Sequence, residues 1–363
     1  MPNDEKKSMK TYDIAVCIGR FQVLHNAQLA LLRRALAQAP SCVVVLGSAF
    51  QARTPRNPFT WEERAEMIRL ALPESERARL QFLPVRDHYD QARWVQAVKD
   101  GVAQLHSRQA SVVLVGHLKD ATSIYLRDFP GWTLDDAGLQ GEIHASGLRD
   151  AWFGAARGDG AVDDGALGAA LAALVSQAPA STLDFLRAWA RLPHYPVLAR
   201  EWASLRKEKA LWASAPYPPV FVTVDAIVRC SGQVLLIERG RAPGKGLNAV
   251  PGGFIELRET AYQSALRELE EETGLRLLES DMQAALKASH VFDHPDRSQR
   301  GRVITHAFFF DLGSRRPPEV KAGDDASAVR WLPIDELPAM EDRFHDDHFH
   351  ILDYFFGLTG PKK

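Results

Sequence analysis

The chain has 363 residues, a length that suggests two domains, and its 46% hydrophobic content supplies apolar side chains for two cores. Its 44 Lys and Arg nearly balance 46 Asp and Glu, leaving a net charge of -2, which argues against a general nucleic-acid-binding surface. Cys17, Cys42 and Cys230 are scattered, with no Cys-x-x-Cys pair, so neither a disulfide framework nor a zinc site is indicated.

Residues 1–11 include MPNDEKKSMK, charged and without an apolar stretch, and are read as a loose tail. No run approaches about 18 apolar residues, so no membrane contact is expected and a reducing cytoplasm is the expected compartment. Residues 12–18 (YDIAVCI) form a strand-like run ending in Gly19, followed by a helical stretch over 26–38. Further strands are predicted at 41–46, 81–85 and 111–115, with helices at 61–72 and 91–105 between them. Alternating strand and helix implies a parallel sheet covered on both faces. Ligands of such sheets bind beyond the carboxyl ends of the strands, here residues 19–25, 47–60 and 116–123. Residues 155–166 are small, acidic and Gly-rich and read as a loop, while 167–213 are helical in pattern with Trp189, Trp202 and Trp212 as packing residues. That stretch completes a first domain over 12–214. Residues 215–219 (APYPP) form a stiff linker. In the second domain, 220–363, strands are expected at 220–229, 233–238, 304–311 and 328–332, giving a mixed sheet between helices.

From about 260 to 273 the chain has no Pro or Gly, and Ala261, Ala265, Leu266 and Leu269 recur at helical spacing. Glu268, Glu271 and Glu272 then share one helix face, where three like charges repel unless a cation neutralises them. Hard carboxylate oxygens suit Mg2+ or Mn2+, which take further ligands from a substrate diphosphate. Gly252 and Gly253 bring backbone close to that cation, Gly274 caps the helix, and Glu259 with Arg267 is expected to be the buried brace. A water of lowered pKa would attack phosphorus, deprotonated by Glu271 or alternatively by Asp324 or Asp325. Residues 253–275 (GFIELRETAYQSALRELEEETGL) resemble the Nudix box at every fixed position.

In the first domain, Gly19-Arg20-Phe21-Gln22-Val23-Leu24-His25 follows a strand and opens a helix, a place where free N–H groups attract phosphates. These residues resemble the nucleotidyltransferase superfamily, and within it nicotinamide mononucleotide (NMN) adenylyltransferases, with signature Gly-Arg-Phe-Gln-Pro-x-His-x-x-His. Asn57-Pro58-Phe59-Thr60 with Glu63-Arg64, the stretch Val115-Gly116-His117-x-Lys119-Asp120, and Ala145-Ser146-Gly147-Leu148-Arg149 are similar to the same family. The resemblance implies nucleotide contacts from Gly19, Arg20, Phe21, Gln22, Gln28, Gly116, His117 and Asp120. It implies that His25 binds ATP phosphates and that Arg149 with Ser146 holds the departing diphosphate. Trp94 matches a tryptophan that stacks on nicotinamide, though its spacing with Val95 and Val98 equally suits a core residue, and His117 equally suits a strand cap. Two positions depart from the signature: Val23 stands for its Pro and Gln28 for its second His.

Together the two halves resemble the bifunctional NMN adenylyltransferase/Nudix hydrolase family over nearly the whole chain, as do the linker and Phe221-Val222-Thr223-Val224-Asp225. The resemblance implies an α/β chain: a Rossmann-like nucleotidyltransferase domain plus a Nudix α/β/α sandwich. It implies that ATP and NMN are joined into NAD, and that ADP-ribose is cut to AMP and ribose 5-phosphate with Mg2+ or Mn2+. Small molecules are then the partners, and a homo-oligomer is left open. The alternative is a Nudix hydrolase whose first domain, impaired by Gln28, serves as a regulatory nucleotide-binding module. Hydrolase selectivity is sought in the three arginines of 293–302 (DHPDRSQRGR) and in Phe221, Phe254 or Phe292 as adenine platforms. Residues 345–350 (HDDHFH) are read as a partly solvated terminal helix rather than a metal site.

Overall fold

The computed structural model describes residues 12–118, 121–138, 143–323 and 325–360. Asp120 and Asp324, both candidates above, lie outside the described residues. The chain divides into two compact units, Met1–Arg200 and Glu201–Lys363.

The first unit contains β1 (Ile14–Gly19), α1 (Asn26–Gln38), β2 (Cys42–Leu46), α2 (Trp61–Leu70), α3 (Glu74–Arg77), β3 (Leu80–Pro84), α4 (Gln91–Leu105), β4 (Val112–Gly116) and β5 (Thr133–Asp136). Then come α5 (Ala145–Gly154), α6 (Asp164–Ala173), α7 (Ala180–Trp189) and the start of α8 (His194–Leu211). The sheet order is β3-β2-β1-β4-β5, and every pairing is parallel. The apolar runs of β1, β2 and β4 are buried throughout or nearly so because helices cover both faces. The edge strand β5 (TLDD) has no counterpart among the expected strands: it is short, acidic and half-exposed, and carries no apolar period. The helical stretch read over 167–213 is three helices, broken before Ala180 and His194, where Pro179 and Pro193 stand.

The second unit contains β6 (Val220–Cys230), β7 (Gln233–Arg239), β8 (Asn248–Ala249), β9 (Gly252–Phe254), α9 (Ala261–Thr273), α10 (Glu279–Ala285), β10 (Leu286–Phe292), β11 (Arg302–Asp311), β12 (Ala326–Pro333) and α11 (His348–Phe356). The sheet runs β10-β11-β6-β7-β12, with β8 on β7 and β9 on β6. It is mixed: β11 pairs β6 in parallel and the other pairings are antiparallel. Alternation along β6 sends Ile227 to the α11 face and Ala226 and Val228 to the α9 face, so both faces are dry. The division between units falls inside α8, upstream of the proline-rich 215–219. Side-chain contacts explain this, since Glu208 pairs with Arg300 and Trp212 packs on Phe221, all within the second unit. Cys17, Cys42 and Cys230 are buried free thiols. Among the described residues no helix is long and apolar enough to cross a membrane.

Candidate active sites

Residues 20–25 lie between the end of β1 and the start of α1, beyond the carboxyl edge of the central strand. This turn is held from within. Arg64, fully buried in α2, donates Nη1 to the carbonyls of Arg20 and Gly47 (2.7 Å each), Nη2 to Ser48 (3.3 Å) and Nε to Thr60 (3.2 Å). One guanidinium thus ties the ends of β1 and β2 to the start of α2, and burial lowers its pKa to about 10. Gln22, expected as a nucleotide contact, has its side-chain amide committed within the protein. Its Nε2 donates to the Phe59 carbonyl (2.9 Å) and its Oε1 accepts the Phe59 N–H (3.0 Å), both buried, so it braces residues 57–60. The Phe21 side chain is likewise buried beneath the turn.

His25 caps α1. Its Nδ1 accepts the Gln28 N–H, and Gln28 Oε1 accepts the His25 N–H, both at 3.4 Å. Burial, then the charge of His144, pushes the His25 pKa down to about 4, so its imidazole is neutral at pH 7. With Nδ1 accepting, the proton belongs on Nε2, which is a donor suited to a phosphate oxygen. Gln28 therefore preserves the cap while its oxygen is committed to it. Arg149, on α5, donates to the Gln22 carbonyl, and burial followed by the charges of Arg20 and Arg56 lowers its pKa to about 10. Like charges gathered in this way call for an anion. Ser146 is exposed in the first turn of α5, Gly116 ends β4, and His117 Nδ1 lies 3.5 Å from Asp136. Trp94, half-buried, meets Tyr125 and Phe129 edge-on at 5.2 and 6.0 Å, which places it on the rim of the core.

In the second unit, α9 begins with a capping box of Thr260 and Gln263 and ends at Gly274, whose φ of 64° suits glycine. Arg267 Nε meets Glu259 at 3.0 Å, while its Nη1 meets Glu268 at 2.9 Å and Glu271 at 2.8 Å. The Glu259–Arg267 pair is half-exposed, not buried as expected, because Arg267 also reaches the two box carboxylates at the cleft mouth. Glu272 is 5% exposed and accepts the Gly252 N–H at 3.0 Å. Burial, with Glu268 and Asp225 nearby, raises its pKa to about 8. Asp225, on β6, is raised to about 6 by burial although Thr305 Oγ1 donates to it at 2.6 Å. Buried carboxylates short of counter-charge are the donor set a hard divalent cation requires, so these residues fit one. Among the described residues no three His, Cys, Asp or Glu groups converge as a closed ligand set, since Arg267 draws Glu268 and Glu271 to itself.

These carboxylates line a cleft of about 670 Å³ whose other walls include Arg239, Phe254, Arg300 and residues 345–348. Three expectations change here. Arg297 lines the cleft with its guanidinium already committed: its side chain is 5% exposed and forms two 2.9 Å hydrogen bonds with Asp347, itself 1% exposed. Arg302 donates to the Asp293 carbonyl and does not line the cleft, leaving Arg300 as the cleft-lining arginine of that segment that Asp347 does not hold. Phe292 is in the core and Phe221 behind the wall, so of the three aromatics only Phe254 lines the cleft. Residues 345–348 are not a solvated helix start; His345 and Asp347 are buried, and α11 begins only at His348. Arg297 supplies the counter-charge that makes this burial tolerable. Asp325 also lines the cleft, paired with Arg241 at 2.7 Å.

Residues 219–355 match the NUDIX domain model and residues 16–119 the cytidylyltransferase-like model. The crystal structure of a bifunctional NMN adenylyltransferase/ADP ribose pyrophosphatase from Francisella tularensis is similar with a TM-score of 0.85. It is 31% identical, and the match covers 96% of this chain and 99% of that one. The chain belongs to this bifunctional family. Each half is also similar to curated relatives of its own. The nicotinamide/nicotinic acid mononucleotide adenylyltransferase of Acinetobacter baylyi is 37% identical over 40% of this chain and 78% of its own length. The ADP-ribose pyrophosphatase of Methanocaldococcus jannaschii is 38% identical over 33% of this chain and 65% of its own length.

Within this bifunctional frame, Gly253 has a steric role that can be tested. A Cβ there would stand 2.4 Å from Glu268 Oε1, so the carboxylate can rest on the backbone only because residue 253 has no side chain. Gly253→Ala is expected to displace Glu268 and lower kcat/KM for ADP-ribose roughly 100-fold, the scale of a misplacement of about 1 Å. Steady-state assay of AMP release checks this, and a rate within threefold of wild type would remove the steric argument. Sequence reading missed Arg64 as the tie beneath the turn, and Asp225 and Asp347 at the cleft. For Asp225 the signal was an acid inside a run of β-branched residues.

Proposed function

We propose that this chain makes NAD from NMN and ATP in its first unit and hydrolyses ADP-ribose to AMP and ribose 5-phosphate in its second. The carrying observation is that the two sites have opposite charge. Around the β1–α1 turn stand Arg20, Arg56, Arg149 and a neutral His25; in the second cleft stand Glu268, Glu271, Glu272 and Asp225. The first suits the polyphosphate of ATP directly, and the second suits a diphosphate only through a cation.

In adenylyl transfer, an oxygen of the NMN phosphate attacks the α-phosphorus and the bond to the departing diphosphate breaks. Little covalent chemistry is asked of the protein. Alignment and charge dispersal suffice, with His25 Nε2 donating to a phosphate oxygen and Arg149 with Ser146 holding the leaving group. In the second unit, a bound Mg2+ or Mn2+ held by Glu268, Glu271 and Glu272 would neutralise the diphosphate and acidify water. Arg267 orients Glu268 and Glu271, and Glu271, half-exposed at the mouth, accepts the water's proton; Asp325 is the competing base.

A regulatory first unit is the second reading, favoured by Gln28, whose side-chain oxygen is committed to the cap. The deciding experiment incubates the full chain, carrying Glu271→Gln to suppress hydrolysis, with NMN, ATP and Mg2+, and quantifies NAD by chromatography. NAD is expected from the natural site. Gln28→His is expected to raise the rate about tenfold, since a charged donor is worth on the order of 1–2 kcal/mol more than a neutral one. NAD from the Gln28→His protein alone would reduce the natural chain to a single-site hydrolase.

A further inference from the structure

The second unit begins in α8 at Glu201, ahead of the NUDIX match at 219. Glu201, Leu205, Glu208 and Trp212 recur at i, i+4, i+7 and i+11, one face of the helix and its exit. Glu201 and Leu205 are buried and Glu208 is half-buried, whereas the residues between them are mostly exposed. This face meets the hydrolase cleft at three places. The Glu201 carboxylate accepts the Gly244 N–H, with Arg239 and Asp346 beside it. Glu208 Oε1 lies 3.7 Å from Arg300 Nε. Trp212 packs edge-on against Phe221 at 5.5 Å, and Phe221 meets Phe254 at 6.0 Å.

Arg300 stands between these contacts. Its guanidinium lies over the Phe254 ring, 6.0 Å from the centroid, and both side chains line the cleft. Its Nε is buried without a hydrogen bond, because 3.7 Å to Glu208 is an ion pair by charge but too long to share a proton. The other cleft arginines are more committed. Arg297 is bound at both ends of its fork by Asp347, Arg267 by three glutamates, and Arg239 Nε by the Pro243 carbonyl. Arg300 therefore keeps donors available for an anion in a cleft whose carboxylates would bring a metal-bound diphosphate.

We propose that Arg300 binds a phosphate oxygen of the substrate, and that Glu208, on a helix outside the Nudix fold, is the positioning residue that holds it there. This rests on the ADP-ribose hydrolase reading of the same cleft. The expected defect is in binding rather than in the chemical step, because Arg300 neither contacts the box carboxylates nor carries a proton to be moved.

The test uses the full chain with Arg300→Ala, Glu208→Ala, Glu208→Asp and the double alanine variant, assayed on ADP-ribose with Mg2+. Arg300→Ala is expected to raise KM roughly tenfold, one charged hydrogen bond, with kcat within about twofold. Glu208→Ala is expected to raise KM about three- to fivefold, Glu208→Asp to recover part of it, and the double variant to match Arg300→Ala alone. An unchanged KM in Glu208→Ala, or single effects that multiply in the double variant, would overturn the proposal. A fall in kcat at constant KM would overturn it equally. AMP affinity of each protein, measured by calorimetry with Mn2+, separates the two claims. Absence of wild-type turnover defeats the hydrolase reading, and AMP binding insensitive to Arg300→Ala defeats the Arg300 assignment whatever the turnover.

Discussion

Glu272→Gln protein is expected to lose ADP-ribose hydrolysis by roughly a thousandfold while becoming, in chelator, more stable than wild type at pH 9. The two halves of this expectation share a cause. Glu272 is buried, and burial together with Glu268 and Asp225 raises its pKa from 4.5 to about 8. A folded-state pKa above the unfolded value means that the metal-free fold favours the protonated acid. The associated stability is present below about pH 4.5, declines as pH rises, and is lost above about pH 8. Glutamine keeps the shape and an acceptor for the Gly252 N–H without the charge, so metal-free stability should stop falling across that range, a gain on the order of a few kcal/mol at pH 9. Its neutral oxygen is a poorer ligand for a hard cation, hence the loss of turnover. Urea unfolding at pH 6 and pH 9 in chelator, beside AMP release with Mg2+, gives both readings. Equal stability loss in the two proteins between those pH values would show that Glu272 carries no such cost.

The features legible in the sequence are those that chemistry writes at short range. The Glu268, Glu271 and Glu272 face, its Thr260 cap and its Gly274 stop all lie within one helix, and the strands β1, β2 and β4 are buried apolar runs. Of the four edge strands, β3 and β12 are expected from the sequence and two are not legible. β10 (LKASHVF) is largely exposed and escapes notice, as does β5, because neither alternates or runs apolar long enough to announce a sheet. Roles fixed by distant partners are also hidden. Gln22 sits in a phosphate-type turn, but Phe59, 37 residues on, takes both ends of its amide. Arg64 serves carbonyls of the turns that follow β1 and β2, which local spacing does not reveal. The unit boundary falls inside α8 because one face of a continuous helix packs against Arg300 and Phe221 of the second unit, whereas composition points to the prolines.

The pair Arg297–Asp347 shows the same limit most sharply and carries the largest stability expectation. Its members are 50 residues apart, one in an arginine-bearing segment read for substrate selectivity and one in a His/Asp run read as partly solvated. Together they are nearly sealed, with Asp225 3.9 Å from Arg297 on its other side. Removing Asp347 leaves Arg297 buried with only the longer 3.9 Å approach of Asp225 and no directed bonds from a carboxylate, and Asp347→Ala is expected to cost about 3–5 kcal/mol. Replacing both, as Arg297→Met with Asp347→Leu, should recover most of that loss, since a buried pair is stabilising mainly relative to its own half. Hydrolysis should not recover with it. The pair fixes the segments bearing Arg300 and His345–His348 to the cleft floor, and an apolar contact lacks the two directed bonds that set their register. Urea midpoints near wild type in the double variant, with a KM for ADP-ribose still raised, are the expected combination. A double variant as unstable as Asp347→Ala would mean that packing around residue 347, or the loss of Arg297 beside Asp225, and not the guanidinium left by Asp347, sets the cost.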